Sequence, residues 1–366
     1  METQGIKYAG SKRLLLPEIL QLVEETGAKT VWDAFSGSTR VSQALAKSGY
    51  RVVASDRASW SEVFGICYLK NRREPTAYAS LLEHLNGVAP RDGWFTEHYG
   101  GEVDDTGNST GTDGRKKPFQ RANTRKLDGI REEIDRLDLS PVERAVALSS
   151  LMLALDEVDN TLGHFTSYLR KWAPRSYKPL WLRVPKLFVN TMEHDVFRAD
   201  VFDLLETVQA EVAYLDPPYG SNNDKMPPSR VRYASYYHFW TTLIQNDRPE
   251  LFGNVGRRKD SSDLVSASVF EEFRKNDAGK FLAVDAIRRL LAGVKTPWVI
   301  LSYSSGGRAT AEELREAIHE NGTLVKIIKK DYRRNVMAEM HWTDAWVHDD
   351  EKQHQEFLFL IRKDKT

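Results

Sequence analysis

The most informative stretch of the chain reads Val212-Ala213-Tyr214-Leu215-Asp216-Pro217-Pro218-Tyr219. An apolar run followed by a carboxylate and two prolines indicates a buried strand that ends at a turn, because proline has no N–H group to continue a ladder of hydrogen bonds. In an open α/β sheet, ligands bind in the crevice outside the carboxyl ends of the strands. The stretch therefore predicts an α/β fold with a polar site at the end of a core strand.

The groups of Asp216-Pro217-Pro218-Tyr219 suit one kind of chemistry. The Asp216 carboxylate and the Pro217 carbonyl are two acceptors for the protons of an exocyclic amino group, whose lone pair is otherwise delocalised into a base ring. The prolines fix the turn and add no competing donor, and the Tyr219 ring is a surface on which a base flipped out of a duplex can stack. A turn with a purely structural role is the alternative, which both prolines and the tyrosine after a core strand disfavour.

The N-terminal part alternates between helix and strand. Periodicity predicts a helix over 14–25, a strand over 30–35, a helix over 41–48 and a strand over 50–55. This order is typical of the beginning of a doubly wound α/β sheet.

Three further groups of residues accompany these elements. Small residues in Asp33-Ala34-Phe35-Ser36-Gly37-Ser38-Thr39 let a ligand approach the backbone at the end of the first strand. Asp56 closes the second strand, where a carboxylate can bind ribose hydroxyls. Both features fit a dinucleotide-dependent oxidoreductase equally well. The polar leader Lys7-Tyr8-Ala9-Gly10-Ser11-Lys12 has no assigned role when it is considered alone.

The remaining chain suggests three consecutive parts. We expect 1–56 and 191–366 to form the two halves of the α/β domain, and 57–190 to be a mostly helical insert with a mobile loop over 92–114. Further strands are predicted at 187–193, 211–216, 298–303, 323–330 and 357–361, with a helix over 200–207. No convincing helix separates the last two strands, so they are expected to form an antiparallel pair at the end of the sheet.

Composition limits the possible function classes. The 52 basic residues balance 52 acidic ones, so any contact with nucleic acid must come from local patches. The candidate basic side chains for such contacts are Arg121, Arg125, Lys126, Arg170 and Lys171. No apolar run has the length of a membrane span, the first residues do not resemble a secretory signal, and the nine histidines show no metal-ligand spacing. We therefore expect a cytoplasmic protein without a metal.

Taken together, the motifs resemble those of the Dam-like family of adenine-specific DNA methyltransferases. That family has a lysine motif, a glycine motif, an inserted recognition region and Asp-Pro-Pro-Tyr in this order, and the resemblance spans nearly the whole chain. Segments 160–163, 168–172, 236–240 and 301–305 are similar to a restriction-modification-associated branch. The chain departs from the family at Thr39, where a second glycine is usual.

The resemblance implies a Rossmann-like, S-adenosylmethionine-dependent sheet with an inserted target-recognition subdomain. It implies a site-specific enzyme that methylates the N6 amino group of a flipped adenine in double-stranded DNA, encoded by a bacterium, an archaeon or a phage. Catalytic roles would fall to Asp216, Pro217, Pro218 and Tyr219. Cofactor contacts would come from Tyr8, Lys12, Asp33, Phe35, Ser36, Gly37, Ser38, Asp56, Asp200 and Val201. A cognate restriction endonuclease is a partner that the resemblance leaves open.

Other chemistries on this scaffold remain alternatives. Methylation of the cytosine amino group uses a similar acceptor arrangement, although a serine usually replaces Asp216 in that family. RNA or protein amide methylation more often shows asparagine at this position. A non-catalytic DNA-binding regulator is a third alternative, which intact Asp216 and Tyr219 disfavour. Cytosine ring methylation is set aside, because Cys67 does not lie in the motif that such a nucleophile requires.

Overall fold

A computed structural model describes residues 2–220, 232–262, 268–331 and 355–363. The chain divides into two compact units. Unit 1 comprises Met1–Leu14, Ser36–Arg198 and Tyr233–Val265, and unit 2 comprises Leu15–Phe35, Ala199–Arg232 and Ser266–Thr366. The polar segment 221–229, which the sequence suggests as a loop over the substrate, lies outside the described residues.

The helices and strands alternate along much of the described chain. The helices are α1 Leu16–Thr26, α2 Arg40–Lys47, α3 Ser59–Leu69, α4 Ala79–Gly87, α5 Trp94–Tyr99, α6 Arg121–Arg136, α7 Pro141–Val158, α8 Val201–Leu204, α9 Tyr233–Tyr236, α10 His238–Gln245, α11 Leu282–Gly293 and α12 Ala311–Asn321. The strands are β1 Thr30–Asp33, β2 Arg51–Asp56, β3 Gly100–Gly101, β4 Phe119–Gln120, β5 Asp195–Arg198, β6 Val212–Leu215, β7 Leu251–Phe252, β8 Arg257–Arg258, β9 Trp298–Ser304, β10 Thr323–Asp331 and β11 Gln355–Arg362.

Unit 2 is built on strands that lie in the order β10-β11-β9-β6-β1. Strand β6 pairs in parallel with β1 on one side and β9 on the other, so that Tyr214 lies beside both Asp33 and Ile300. Every residue of β6 is buried. Such a continuous apolar strand is expected in a parallel sheet, because helices cover both of its faces.

The antiparallel end of this sheet confirms the expected pair of C-terminal strands and adds one detail. β10 and β11 pair antiparallel, as predicted. β11 also pairs antiparallel with β9, and therefore lies between β9 and β10 rather than at the edge. The result is a mixed, mainly parallel α/β sheet, which fits the predicted fold class.

Unit 1 contains a parallel strand pair, β2 and β5, and most of the helices. Its core is rich in aromatic side chains from α3, α5 and α10, with aliphatic residues from α6 and α7. Helix α7 begins with a capping box, in which the Ser140 hydroxyl accepts the Glu143 N–H and the Glu143 carboxylate accepts the Ser140 N–H. The sequence prediction of helical structure within 57–190 agrees with these elements, and its role as a recognition insert stays a prediction.

The predicted strand over 187–193 is wrong, and the outer strand of this pair is β5 at Asp195–Arg198. Side-chain amides, rather than a neighbouring strand, bind the backbone of the earlier segment. The Asn71 amide donates to the Phe188 carbonyl over 2.9 Å. The Asn190 amide anchors the same segment to the carbonyl of Tyr68, also over 2.9 Å. Apolar composition alone does not reveal that side-chain amides hold this segment in place.

The segment 92–114 is not a loop throughout, because it contains helix α5 and the short strand β3. The Asp128 carboxylate accepts the N–H groups of Phe95 and Thr96, at 3.0 and 2.8 Å. These bonds satisfy donors that the first turn of a helix leaves without intrahelical partners. The stabilising group lies more than thirty residues away in the sequence, which is why local composition misses this helix.

None of the described helices combines the length and the apolar character that crossing a lipid bilayer requires.

Candidate active site

In unit 2, the Asp216-Pro217-Pro218-Tyr219 motif leaves strand β6 at its carboxyl end, as the sequence predicts. The Tyr219 hydroxyl donates to Asp216 Oδ1 over 2.5 Å and lies 3.0 Å from the Ser302 hydroxyl. It lies 3.4 Å from Glu356 Oε2. Burial, followed by the nearby carboxylates of Asp216 and Glu356, holds the pKa of Tyr219 well above its usual value. Tyr219 is therefore a neutral phenol that orients the Asp216 carboxylate.

Sequence reasoning missed the two residues that position this pair. Ser302 lies on β9 and Glu356 on β11, so both reach Tyr219 only because these strands are neighbours in the sheet. The ring of Tyr303 also packs on Tyr219, with ring centroids 4.8 Å apart. The similarity of 301–305 to a known branch indicated this region without assigning a role. No local signal indicated Glu356.

The end of strand β1 and the start of α8 carry further candidate residues of unit 2. Asp33 is buried at the end of β1. Asp200 caps α8, because its Oδ1 accepts the Phe202 N–H over 3.0 Å. This helix is shorter than the predicted 200–207, and Val201, its first residue, is buried.

Three aromatic rings of unit 2 form one apolar cluster. Two of them, Phe35 and Phe202, closely follow Asp33 and Asp200 in the sequence. The rings of Phe35 and Phe270 meet edge to face, with centroids 5.3 Å apart. The rings of Phe202 and Phe270 are stacked at 5.7 Å with an interplanar angle of 5°. Flat aromatic surfaces of this kind suit the adenine ring of a nucleotide-like ligand. Sequence reasoning found Phe35 but not Phe270, which belongs to a short 3₁₀ turn.

In unit 1, Gly37 and Asp56 form a separate group of candidate binding residues. Gly37 has a φ of +48°, and an added Cβ would lie 3.1 Å from the Tyr8 ring. Its N–H group donates to Asp56 Oδ2 over 2.8 Å, and the Ala58 N–H donates to Oδ1 over 2.9 Å. Burial raises the pKa of Asp56, and these backbone hydrogen bonds act in the opposite direction. The carboxylate is thus fixed in place and keeps lone pairs for a ligand's hydroxyl groups.

Tyr8 belongs to an aromatic group that fixes the N-terminal leader. Its ring is stacked on Tyr237 at 4.9 Å, tilted against Tyr233 at 5.2 Å and edge-on to Trp60 at 5.5 Å. The Tyr237 hydroxyl accepts the Ala9 N–H over 2.7 Å. Helix α9 and Tyr237, the residue between α9 and α10, therefore contact the leader. Lys12, further along the leader, is buried.

Residues 8–285 match the family of D12 class N6 adenine-specific DNA methyltransferases. The chain belongs to this family. The match confirms the resemblance that the motif order predicts.

Several curated proteins are similar to the chain. Modification methylase StsI of Streptococcus sanguinis is 27% identical, over 90% of this chain and 48% of that protein. Type II methyltransferase M.FokI of Planomicrobium okeanokoites is 26% identical, over 98% of this chain and 53% of that protein. Type II methyltransferase M.NlaIII of Neisseria lactamica is 24% identical over 84% of each. The chain thus spans about half the length of the first two relatives and most of the third.

The basic residues suggested for DNA contact fall into two groups in unit 1. Arg121 forms ion pairs with Asp92 and Glu102, and the Arg125 guanidinium lies 3.4 Å from Asp92. The Lys126 ammonium donates to the Asn86 carbonyl over 2.6 Å, and burial lowers the pKa of this group. These side chains have structural partners. Arg170 and Lys171 are exposed, as is Arg121.

Attack on a cytosine ring by a thiolate finds little support in the structure. Burial raises the pKa of the Cys67 thiol to about 12, so the thiolate nucleophile needed for attack on a cytosine ring is scarce at neutral pH. Among the residues that the structure describes, no group of three or more His, Cys, Asp or Glu side chains could hold a metal ion.

A charged cluster links the N-terminal leader to helix α7 within unit 1. The Lys7 N–H donates to Asp156 Oδ2 over 2.9 Å, and the Lys7 ammonium donates to Asp159 Oδ1 over 2.6 Å. The Arg175 guanidinium also binds Asp159, at 2.9 Å. Burial raises the pKa of Asp156 to about 7. The leader that carries Tyr8 is therefore held by a carboxyl group that titrates near neutral pH.

We expect Asp156→Asn to stabilise the protein in a pH-dependent manner. The folded pKa of about 7 lies above the ordinary value of 3.8, so the wild type loses stability as the pH rises from about 4 to about 7. The asparagine keeps an acceptor for the Lys7 N–H without this loss. Thermal unfolding should give similar Tm values near pH 4 and a higher Tm for the variant at pH 8.

The control for this prediction is Glu157→Gln, which removes the next carboxylate of α7. Glu157 is exposed and pairs with Arg183 at the surface. Its replacement should give no gain that grows with pH. An equal change for Asp156→Asn at both pH values would contradict the assigned titration.

Proposed function

We propose that this protein transfers the methyl group of S-adenosylmethionine to the N6 amino group of an adenine flipped out of double-stranded DNA. The observation that supports it most directly is the Asp216 carboxylate, held by the Tyr219 hydroxyl at the carboxyl end of β6. This motif lies within the matched family region, residues 8–285. The names of the relatives, which include a modification methylase and Type II methyltransferases, are consistent with the proposal.

Unit 2 and unit 1 each carry residues that we propose as cofactor contacts. In unit 2, Phe35, with Phe202 and Phe270, supplies aromatic surface for an adenine ring, and Asp200 and Val201 begin the adjoining helix. Asp33 supplies a buried carboxylate. In unit 1 the proposed contacts are Tyr8, Lys12, Ser36, Gly37, Ser38 and Asp56. The cofactor supplies an electrophilic methyl group on a sulfonium.

The residues of the motif account for the activation of the amino group. The Asp216 carboxylate and the Pro217 carbonyl accept hydrogen bonds from the two N–H groups of the amino group. These bonds favour a tetrahedral nitrogen with its lone pair directed towards the methyl carbon. The Tyr219 ring stacks on the flipped base, and Pro218 keeps the turn rigid. The methyl carbon–sulfur bond breaks as the carbon–nitrogen bond forms. The nitrogen then loses its extra proton to Asp216 or to water, with no covalent enzyme intermediate.

We further propose that 57–190 contains the target-recognition region. The exposed side chains of Arg170 and Lys171 suit contacts with DNA phosphates, which fix the position of a protein on a duplex. Arg121, Arg125 and Lys126 contribute less, since their charged groups already bind protein atoms. A cognate restriction endonuclease is a further proposed partner, suggested by the Type II relatives.

Incubation of the protein with mixed genomic DNA and S-adenosylmethionine labelled in the methyl group tests the proposal. Nucleoside digestion and sequencing should reveal N6-methyladenine in a fixed sequence context. Label on the amino group of cytosine would correct the substrate. Cofactor binding without any labelled DNA would contradict the proposal and favour a regulator or an RNA or protein substrate.

Asp216→Ala should abolish most methyl transfer while leaving cofactor affinity unchanged. Removal of one preorganised group that stabilises a transition state typically lowers the rate by about 100- to 1,000-fold. Initial rates and calorimetric titration with S-adenosylmethionine separate the two effects. Asp203→Ala is the matched control, since Asp203 is exposed on α8, and it should leave the rate near the wild-type value. Wild-type turnover in Asp216→Ala would disprove the assignment.

Gly37→Ala should weaken cofactor binding roughly tenfold, because the added methyl group strains a left-handed backbone and displaces Tyr8. Gly49→Ala is the matched control in the same unit. Gly49 also has positive φ, at +85°, but its added Cβ would meet nothing within 4 Å. Both variants should lose some thermal stability, and only Gly37→Ala should show a higher Kd for S-adenosylmethionine by calorimetry. Equal affinity in both would remove Gly37 from the site.

A further inference from the structure

One buried cation of unit 2 lies directly against the catalytic turn. Arg308 is 4% exposed. Its backbone N–H group donates to the Tyr219 carbonyl over 3.0 Å. Gly220, the residue after the motif, has a φ of +62°. An added Cβ at this glycine would lie 2.1 Å from Arg308 Nη1 and 2.8 Å from Nε. The guanidinium therefore covers the backbone at the end of the turn, and the glycine is required for that approach.

The Glu271 and Glu272 carboxylates interact with the charge of this guanidinium, but its N–H donors are incompletely satisfied. Within the described part of the chain, neither Nε nor Nη1 has a hydrogen-bond acceptor. The Phe281 ring lies 6.0 Å from the guanidinium carbon. Burial is the main cause that lowers the pKa of Arg308, yet an arginine keeps its proton at physiological pH. Buried donors are nearly always satisfied in proteins, so this arrangement costs stability in the free protein.

Tyr303 fixes the backbone next to Arg308. The Tyr303 hydroxyl accepts the N–H of Ala309, the next residue, over 2.9 Å. The Tyr303 ring also packs on Tyr219. Arg308 is thus held on the same scaffold as the proposed base-stacking residue. A cation that is positioned but lacks acceptors is suited to an anion that arrives with the substrate.

We propose that Arg308 binds a backbone phosphate of the nucleotide whose base stacks on Tyr219. This inference rests on the proposed function, because a flipped nucleotide brings its own phosphates to the turn that receives the base. The planar guanidinium offers parallel N–H donors that match phosphate oxygens. Nε and Nη1 would gain acceptors only in the complex with DNA. The energetic cost of burying these donors in the free protein would therefore be relieved when DNA binds.

The test compares Arg308→Met with Arg308→Lys. Methionine preserves much of the packing without charge, whereas lysine preserves the charge. The probe is a duplex that contains the sequence context found in the methylation experiment. We expect Arg308→Met to bind this duplex roughly tenfold more weakly. The slope of log K against log salt concentration should decrease in magnitude by about 0.9, which corresponds to one lost phosphate contact. Arg308→Lys should keep the wild-type slope.

Two further measurements separate this role from a structural one. Arg308→Met should unfold at the wild-type temperature or higher, because it removes a buried charge without acceptors. Its Kd for S-adenosylmethionine should stay within about twofold of the wild-type value. Arg315→Met, a change of an exposed arginine on α12, is the matched control and should alter neither quantity.

Three outcomes would overturn the inference. A lower Tm with an unchanged salt slope would make Arg308 a structural residue. Weaker cofactor binding with an unchanged slope would show that the anion is the carboxylate of the cofactor. Absence of methylated DNA with the wild type would refute the proposed function and this inference with it, whereas methylation with an unchanged slope in Arg308→Met refutes the inference alone.

Discussion

The parallel pairing of β1, β6 and β9 is the constraint on which the rest of unit 2 depends. Because the three strands run in the same direction and in fixed register, their carboxyl ends lie at one edge of the sheet. Asp33, Asp216 and Ser302 belong to these ends although they are distant in the sequence. Both faces of β6 are buried, so the strand that carries Asp216 is enclosed by the core.

The antiparallel strand β11 adds a carboxylate that a purely parallel sheet would lack. Its pairing with β9 brings Glu356 to the Tyr219 hydroxyl. The Tyr219 hydroxyl thus lies between two carboxylates and orients that of Asp216. Preorganised dipoles of this kind contribute to catalysis because they need not reorganise as charge develops.

Charged groups that are unfavourable in the free protein lie next to the functional segments. Asp156 holds the leader that carries Tyr8 and has a pKa of about 7, and Arg308 covers the backbone at Gly220, where two of its nitrogens lack acceptors among the described residues. Residues placed only for stability would be expected to avoid such burial. Each unit therefore gives up some stability at a buried charged group.

The sequence by itself determined the family, the α/β class, the core strand before Asp216 and the expected pair of C-terminal strands. These features depend on local patterns, namely an apolar run, paired prolines and small residues at strand ends. Only the tertiary structure decided that Glu356, Phe270 and Arg308 lie beside the motif residues. It also decided that side-chain amides hold 187–193 and that β11 lies between β9 and β10. The physical reason is that these contacts join residues far apart in the chain, and such pairing leaves no periodic signal in the sequence.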